Sequence, residues 1–92
     1  VLEAVLLSHP KVADAAVIGV KDDDGQEIPK AYVVVQPGNE LTEDEVMSYV
    51  AAAVAPHEKV RRVEFIDVIP KNASGKILRK DLRAREVAPV GG

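Results

Sequence analysis

Apolar positions along the chain alternate between helical and extended spacing, and the changes of period mark out its elements. Val1, Leu2, Val5 and Leu6 recur as one face of a helix, which His9-Pro10 closes. Val12 to Val20 is rich in β-branched and small residues and predicts a strand. Asp22-Asp23-Asp24-Gly25 predicts a turn, with an Asp side chain bonded to nearby backbone and Gly supplying a positive φ. Ile28 to Gln36 returns as a second strand, so the pair reads as a hairpin or its close relative.

Pro37-Gly38-Asn39 breaks that strand, and Leu41-Thr42-Glu43-Asp44-Glu45-Val46 opens a helix. Thr42 is expected to cap, Glu45 to reach back, and Leu41 to staple onto Val46. The helix is expected to run to about Val54, with Val46, Met47, Val50 and Val54 inward and Ala55-Pro56 as its stop. Val60 to Ile69 reads as a third strand, with Arg62 and Glu64 alternating with Val63 and Phe65. Leu78 or Arg79 opens a last helix in which Leu78 and Leu82 share a face and Asp81 can pair with Arg85. Val87 to Gly92 reads as a frayed tail. The expectation is a small α+β domain of order α-β-β-α-β-α, either a three-stranded sheet or a hairpin plus a strand, packed with helices. The first helix has no N-cap or initiator Met before it, so the chain is expected to begin inside a larger protein.

Composition narrows the chemistry. A chain of 92 residues makes one small domain with a modest core. Tyr32, Tyr49 and Phe65 are its only aromatics, while 16 Val and 12 Ala dominate the apolar content. Such a chain has little wall to spare for a ligand pocket, which argues against an independent enzyme. With no cysteine, disulfides, zinc thiolates and thiol nucleophiles are excluded. His9 and His57 lack paired ligand spacing and read as surface or boundary residues. The longest apolar run, Tyr49 to Ala55, is too short to span a bilayer, and no signal peptide is visible; a cytoplasmic setting is expected.

The net charge of −3 hides a split: residues 1–58 hold three Lys/Arg against eleven Asp/Glu, and residues 59–92 hold nine against four. The basic end is suited to meeting an anion. Nucleic acid is a poor candidate, because Phe65 is the only aromatic beyond residue 58; a nucleotide or CoA phosphate fits better.

Pro70-Lys71-Asn72-Ala73-Ser74-Gly75-Lys76-Ile77-Leu78-Arg79-Lys80 sits in the basic end, on the loop after the third strand. There Lys76 follows a small, flexible Ser-Gly pair, as a mobile point charge that can be delivered to an anionic centre. A phosphate-binding P-loop would need Gly at position 70 and Ser or Thr at position 77, where Pro70 and Ile77 stand. An EF-hand loop through Asp24-Gly25 would need an acid at position 20 and Glu at position 31, where Val20 and Ala31 stand. Both readings fail. On these residues alone, a solvated basic loop is an equal alternative.

This stretch resembles the closing motif of the adenylate-forming enzymes: acyl-CoA synthetases, luciferases and the adenylation domains of peptide synthetases. Ile69 to Arg85 is most similar to 4-coumarate–CoA ligases and their bacterial relatives. Gly25-Gln26-Glu27-Ile28-Pro29-Lys30-Ala31-Tyr32-Val33 resembles the family's Gly-Glu-x-Pro-x-Ala-x-Val hairpin, and Val1 to Pro10 resembles the helix after its hinge. The resemblance implies that residues 1–87 are a C-terminal mobile domain and 88–92 a flexible tail. The hinge and a large N-terminal domain, holding the phosphate-binding loop, the Mg2+ ligands and the acyl pocket, would lie outside this chain.

It further implies an ATP-dependent acid–thiol ligase, with Lys76 as the adenylation lysine touching ATP and the acyl adenylate. Gly75 would give the loop its freedom and Ser74 tie its backbone down. The domain would then swing to present Gly25, Gln26 and Glu27 for thioester formation with CoA. Lys59, Arg61 and Arg62 either touch CoA phosphates or form a solvated basic strand edge. The partners implied are the N-terminal domain, a small carboxylic acid (4-coumarate-like or fatty), ATP, CoA, and a lysine acetyltransferase acting on Lys76. The isolated chain is expected to be inactive. One alternative passes the acyl group to a carrier protein; another, of a different class, is a free-standing non-catalytic binding or regulatory module.

Overall fold

A computed structural model of the chain describes residues 2–54 and 59–87. The elements follow the expected order: α1 (Leu2–Leu7), β1 (Val12–Lys21), β2 (Glu27–Val35), α2 (Glu43–Ala53), β3 (Arg62–Phe65) and α3 (Arg79–Val87). The strands form one three-stranded sheet in the order β1-β2-β3. β1 and β2 are an antiparallel hairpin in which Val17 faces Ala31 and Lys21 faces Glu27. β3 runs parallel to β2, with Lys30 beside Arg62 and Val33 beside Phe65. The expected stop at Ala55-Pro56, His57 and the 88–92 tail lie outside the described residues.

The sheet is covered on both faces, which is why β1 and β2 read as near-continuous apolar runs. On one face Leu6 from α1 and Val46 and Val50 from α2 pack against Ala15, Ala31, Val33 and Val63. On the other, Leu82 from α3 and Ile69 pack against Ala16, Ile18, Val20 and Tyr32. Adjacent residues Ala31, Tyr32 and Val33 are each fully buried, as the central strand of such a sandwich requires.

α2 begins as its sequence dictates. The Thr42 hydroxyl accepts the Glu45 N–H at 3.1 Å, and the Glu45 carboxylate accepts the Thr42 N–H at 3.0 Å. Leu41 packs against the core cluster that contains Val46.

The third strand is shorter than expected. Only Arg62–Phe65 pair, and the expected 60–69 span is corrected at both ends. Parity explains this. Val63 packs on the α1/α2 face and Ile69 on the α3 face, yet an even separation would put both on one side of a continuous strand. The chain therefore leaves the ladder after Ile66 donates to the Val33 carbonyl, bends at Asp67, and crosses to the other face. Phe65, expected to alternate inward with Val63, stays 36% exposed at the outer end of this edge strand.

Candidate functional site

Lys76 stands at the end of a small hairpin closed by an antiparallel bridge between Lys71 and Ile77. Asn72 organises the turn. Its side-chain carbonyl accepts the N–H of Ser74 at 3.0 Å, the Ser74 hydroxyl at 2.8 Å and the N–H of Lys76 at 3.0 Å. The Asn72 N–H donates to the Lys76 carbonyl, and the Gly75 N–H to the Asn72 carbonyl. Gly75 adopts φ +85°, a conformation that an L side chain resists. Gly75 supplies the left-handed step of the turn, and Ser74 helps to tie its backbone down through Asn72.

Both arms of this hairpin are fastened to the outer edge of β1. Lys71 Nζ lies 2.6 Å from Asp14 Oδ2, where the β1 ladder has its irregularity between Val12 and Asp14. Arg79 Nη2 reaches Glu3 Oε1 at 2.7 Å and Oε2 at 2.6 Å. The loop between is exposed, and among the described residues none forms an ion pair with the Lys76 ammonium. The result is a hairpin anchored at its base, with an exposed lysine that has no ion-pair partner among the described residues.

The Gly25-Gln26-Glu27 segment lies elsewhere. Asp22 Oδ1 accepts the N–H groups of Asp24 and Gln26, each at 2.9 Å, and Gly25 takes φ +81°. This turn caps the Lys21 end of β1, whereas the Lys76 hairpin is based at Asp14, about 23 Å back along the strand at ~3.3 Å per residue. The structure does not bring Lys76 and the hairpin turn together. Lys59 lies just before the third strand, two residues ahead of Arg61, whose N–H bonds the Pro29 carbonyl. Lys59, Arg61 and Arg62 are all exposed. The Glu27 side chain lies over Gly19, so closely that a Cβ on Gly19 would stand 2.6 Å from Glu27 Cδ.

A polar cluster that pattern reading missed joins β2, β3 and α3. Lys30 Nζ bonds Glu64 at 2.9 Å and Glu86 at 2.5 Å, Tyr32 donates its hydroxyl to Glu86, and Arg85 bonds Glu64 at 2.7 Å. Arg85 thus turns to β3 rather than to Asp81, correcting the pairing expected within α3. Burial, and then the bond to Glu86, push the Tyr32 hydroxyl up to about 12. The bonds from Arg85 and Lys30 hold the Glu64 carboxyl below its ordinary value. Of the histidines, His9 is structural: its Nδ1 accepts the Lys11 N–H at 3.0 Å, and its ring meets Tyr49 edge-on.

The Glu3–Arg79 and Lys71–Asp14 pairs left no local signal, because their partners lie far apart in sequence. Asn72 did leave one: Asn72 and Gly75 repeat the spacing of Asp22 and Gly25.

Comparison with known proteins identifies the family. The family model of the AMP-binding enzyme C-terminal domain matches residues 1–76. Over 89 residues the chain is 52% identical to 4-coumarate–CoA ligase 3 of Oryza sativa subsp. japonica, covering 97% of this chain and 16% of that protein. Brucella canis acyl-CoA synthetase superimposes with a TM-score of 0.84 at 42% identity, covering 94% of this chain and 16% of that one. A Mycobacterium tuberculosis fatty acyl CoA synthetase gives a TM-score of 0.85 at 36% identity, over 95% of this chain and 17% of that one. The chain belongs to the AMP-binding enzyme C-terminal domain family, and it spans 16% of the length of the rice relative. Among the described residues, no helix is long and apolar enough to cross a membrane.

Proposed function

We propose that this chain is the C-terminal lid of a cytoplasmic, ATP-dependent acid–thiol ligase, with Lys76 as its adenylation lysine. The single observation that carries the reading is the Lys76 hairpin: anchored at its base, exposed at its tip, and ending on a cation with no ion-pair partner among the described residues.

In the first half-reaction a carboxylate oxygen attacks the α-phosphorus of ATP, and the bond to the pyrophosphate oxygen breaks. Two anions must approach each other, so the barrier is electrostatic and positional. A lysine ammonium, compact and with three donors on a long stem, bridges the carboxylate and the α-phosphate oxygens. In the second, the CoA sulfur attacks the acyl carbon, its proton is released, and the bond to AMP breaks. The Gly25-Gln26-Glu27 turn, together with Lys59, serves this step. Its place at the far end of β1 from Lys76 suits a lid that turns a different end to the reaction each time.

Among the described residues there is no cluster of three or more His, Cys, Asp or Glu placed for a cation. The magnesium ligands belong to the N-terminal domain of the enzyme that this lid serves. The names of the relatives favour an aryl-propenoic acid such as 4-coumarate as substrate, with a fatty acid second. Acetylation of Lys76 would remove the charge and silence adenylation; full adenylation by enzyme wholly acetylated at Lys76 would overturn that step.

The test compares the full-length enzyme with its Lys76→Ala variant. Pyrophosphate release is followed with ATP and acid, and thioester formation with CoA and presynthesised acyl adenylate. Loss of the first by about 10²–10³-fold, with the second retained, is expected. Retention of both activities would make Lys76 an ordinary surface lysine.

A further inference from the structure

Two loops at separate ends of the sheet share one hydrogen-bond pattern. In the loop 22–26, the Asp22 N–H donates to the Gln26 carbonyl, the Gly25 N–H to the Asp22 carbonyl, and the Asp22 side chain accepts the N–H groups of Asp24 and Gln26. In the loop 72–76, Asn72, Ser74, Gly75 and Lys76 repeat every one of these bonds. Both loops place a glycine at positive φ, +81° and +85°, three residues after the capping side chain. In the second loop, the last residue whose N–H that side chain holds is Lys76.

We propose that Asn72 is a positioning residue for Lys76. This rests on the reading of Lys76 given above and deepens it. The Asn72 side-chain carbonyl fixes the Lys76 N–H, and with it the direction in which the lysine stem leaves the backbone. The Ser74 hydroxyl, donating at 2.8 Å, holds that carbonyl in place. An ammonium that must fall between a carboxylate and a phosphate is sensitive to such direction, since a misplacement of about 1 Å costs on the order of 10²-fold in rate. The Asp22 loop shows that a carboxylate does the same work, so Asp in place of Asn72 preserves the geometry.

The experiment uses the full-length enzyme with Asn72→Ala, Asn72→Asp and Lys76→Ala variants. Pyrophosphate release, thioester formation from presynthesised acyl adenylate, and Tm are measured for each. Asn72→Ala is expected to lower kcat for pyrophosphate release by about tenfold or more, with thioester formation and Tm unchanged. Asn72→Asp restores pyrophosphate release to within about threefold of wild type, because the same acceptor geometry returns. Wild-type pyrophosphate release by Asn72→Ala, beside a Lys76→Ala variant that has lost it, would overturn the role of Asn72 and leave that of Lys76 standing. Equal loss of both half-reactions in Asn72→Ala, or no rescue by Asn72→Asp, would also overturn it. Undiminished pyrophosphate release by Lys76→Ala would overturn the reading of Lys76 itself, and this inference with it.

Discussion

Arg79 and Glu3 meet across the open edge of β1 and stand in for the strand that edge lacks. Glu3 Oε2 accepts the Val17 N–H at 2.8 Å, and Arg79 Nε donates to the Val17 carbonyl at 3.4 Å. The two side chains close on each other at 2.6 Å. An edge strand left bare offers its backbone to other chains; here one ion pair satisfies the middle of that edge. It also ties α1 on one face of the sheet to α3 on the other, a short step along the chain from Lys76.

Removing either partner therefore frees a backbone group as well as a charge. Glu3→Gln keeps an acceptor for Val17 but weakens the hold on Arg79, and should cost about 1 kcal/mol; Arg79→Ala should cost about 1–2 kcal/mol. Urea unfolding of the single and double variants gives the coupling directly. Additive losses would show that the pair does not act as a unit.

At the start of α2, Thr42→Ala removes the hydroxyl that accepts the Glu45 N–H. The cost should be about 1 kcal/mol, and Thr42→Ser should recover most of it. Equal stability of the Ala and Ser variants in the same unfolding assay would mean that the cap contributes nothing.

Gly19→Ala separates stability from site geometry. The three atoms nearest the new Cβ, at 2.6–2.9 Å, all belong to the side chain of Glu27, an exposed residue. Glu27 swings aside, so Tm should change little. If Glu27 serves thioester formation as proposed, that half-reaction should fall severalfold while pyrophosphate release is kept. A large drop in Tm would mean that Glu27 is pinned by contacts other than the Gly19 surface.

Local chemistry made most of this fold legible. The Thr42–Glu45 capping box, the Asp22–Gly25 turn and the apolar runs of β1 and β2 each depend on residues close in sequence, and each forms as expected. The end of β3 was not legible, because Asp67 breaks the strand to satisfy a second core face that alternation alone does not reveal. Arg85 illustrates the same limit. Its helical neighbour Asp81 is available by spacing, yet Glu64 is the partner it finds in three dimensions. At the candidate site, Lys76 was visible through its motif, whereas the fastenings of its hairpin to Asp14 and Glu3 depend on contacts spanning most of the chain.

The Lys30–Tyr32–Glu86 cluster sets the behaviour of the domain in alkali. The Tyr32 hydroxyl is pushed from 10.0 up to about 12, by burial and then by its bond to Glu86, against the opposing charge of Lys30. For Lys30, burial favours the neutral form, but its bonds to Glu86 and Glu64 outweigh this and the ammonium is raised above 10.5. Both groups hold their protons more tightly folded than unfolded. The stability they confer is therefore complete below about pH 10 and is lost as pH rises from there through about 12. Glu64 has the opposite sign: Arg85 and Lys30 hold it below 4.5, so its contribution is present above that value and lost as pH falls below it. An absorbance titration of the folded chain should show a phenolate appearing near pH 12 that Tyr32→Phe removes. In Glu86→Gln that transition should move back toward 10. A Tyr32 phenolate appearing at pH 10 in the wild-type chain would show that Glu86 does not hold the phenol proton.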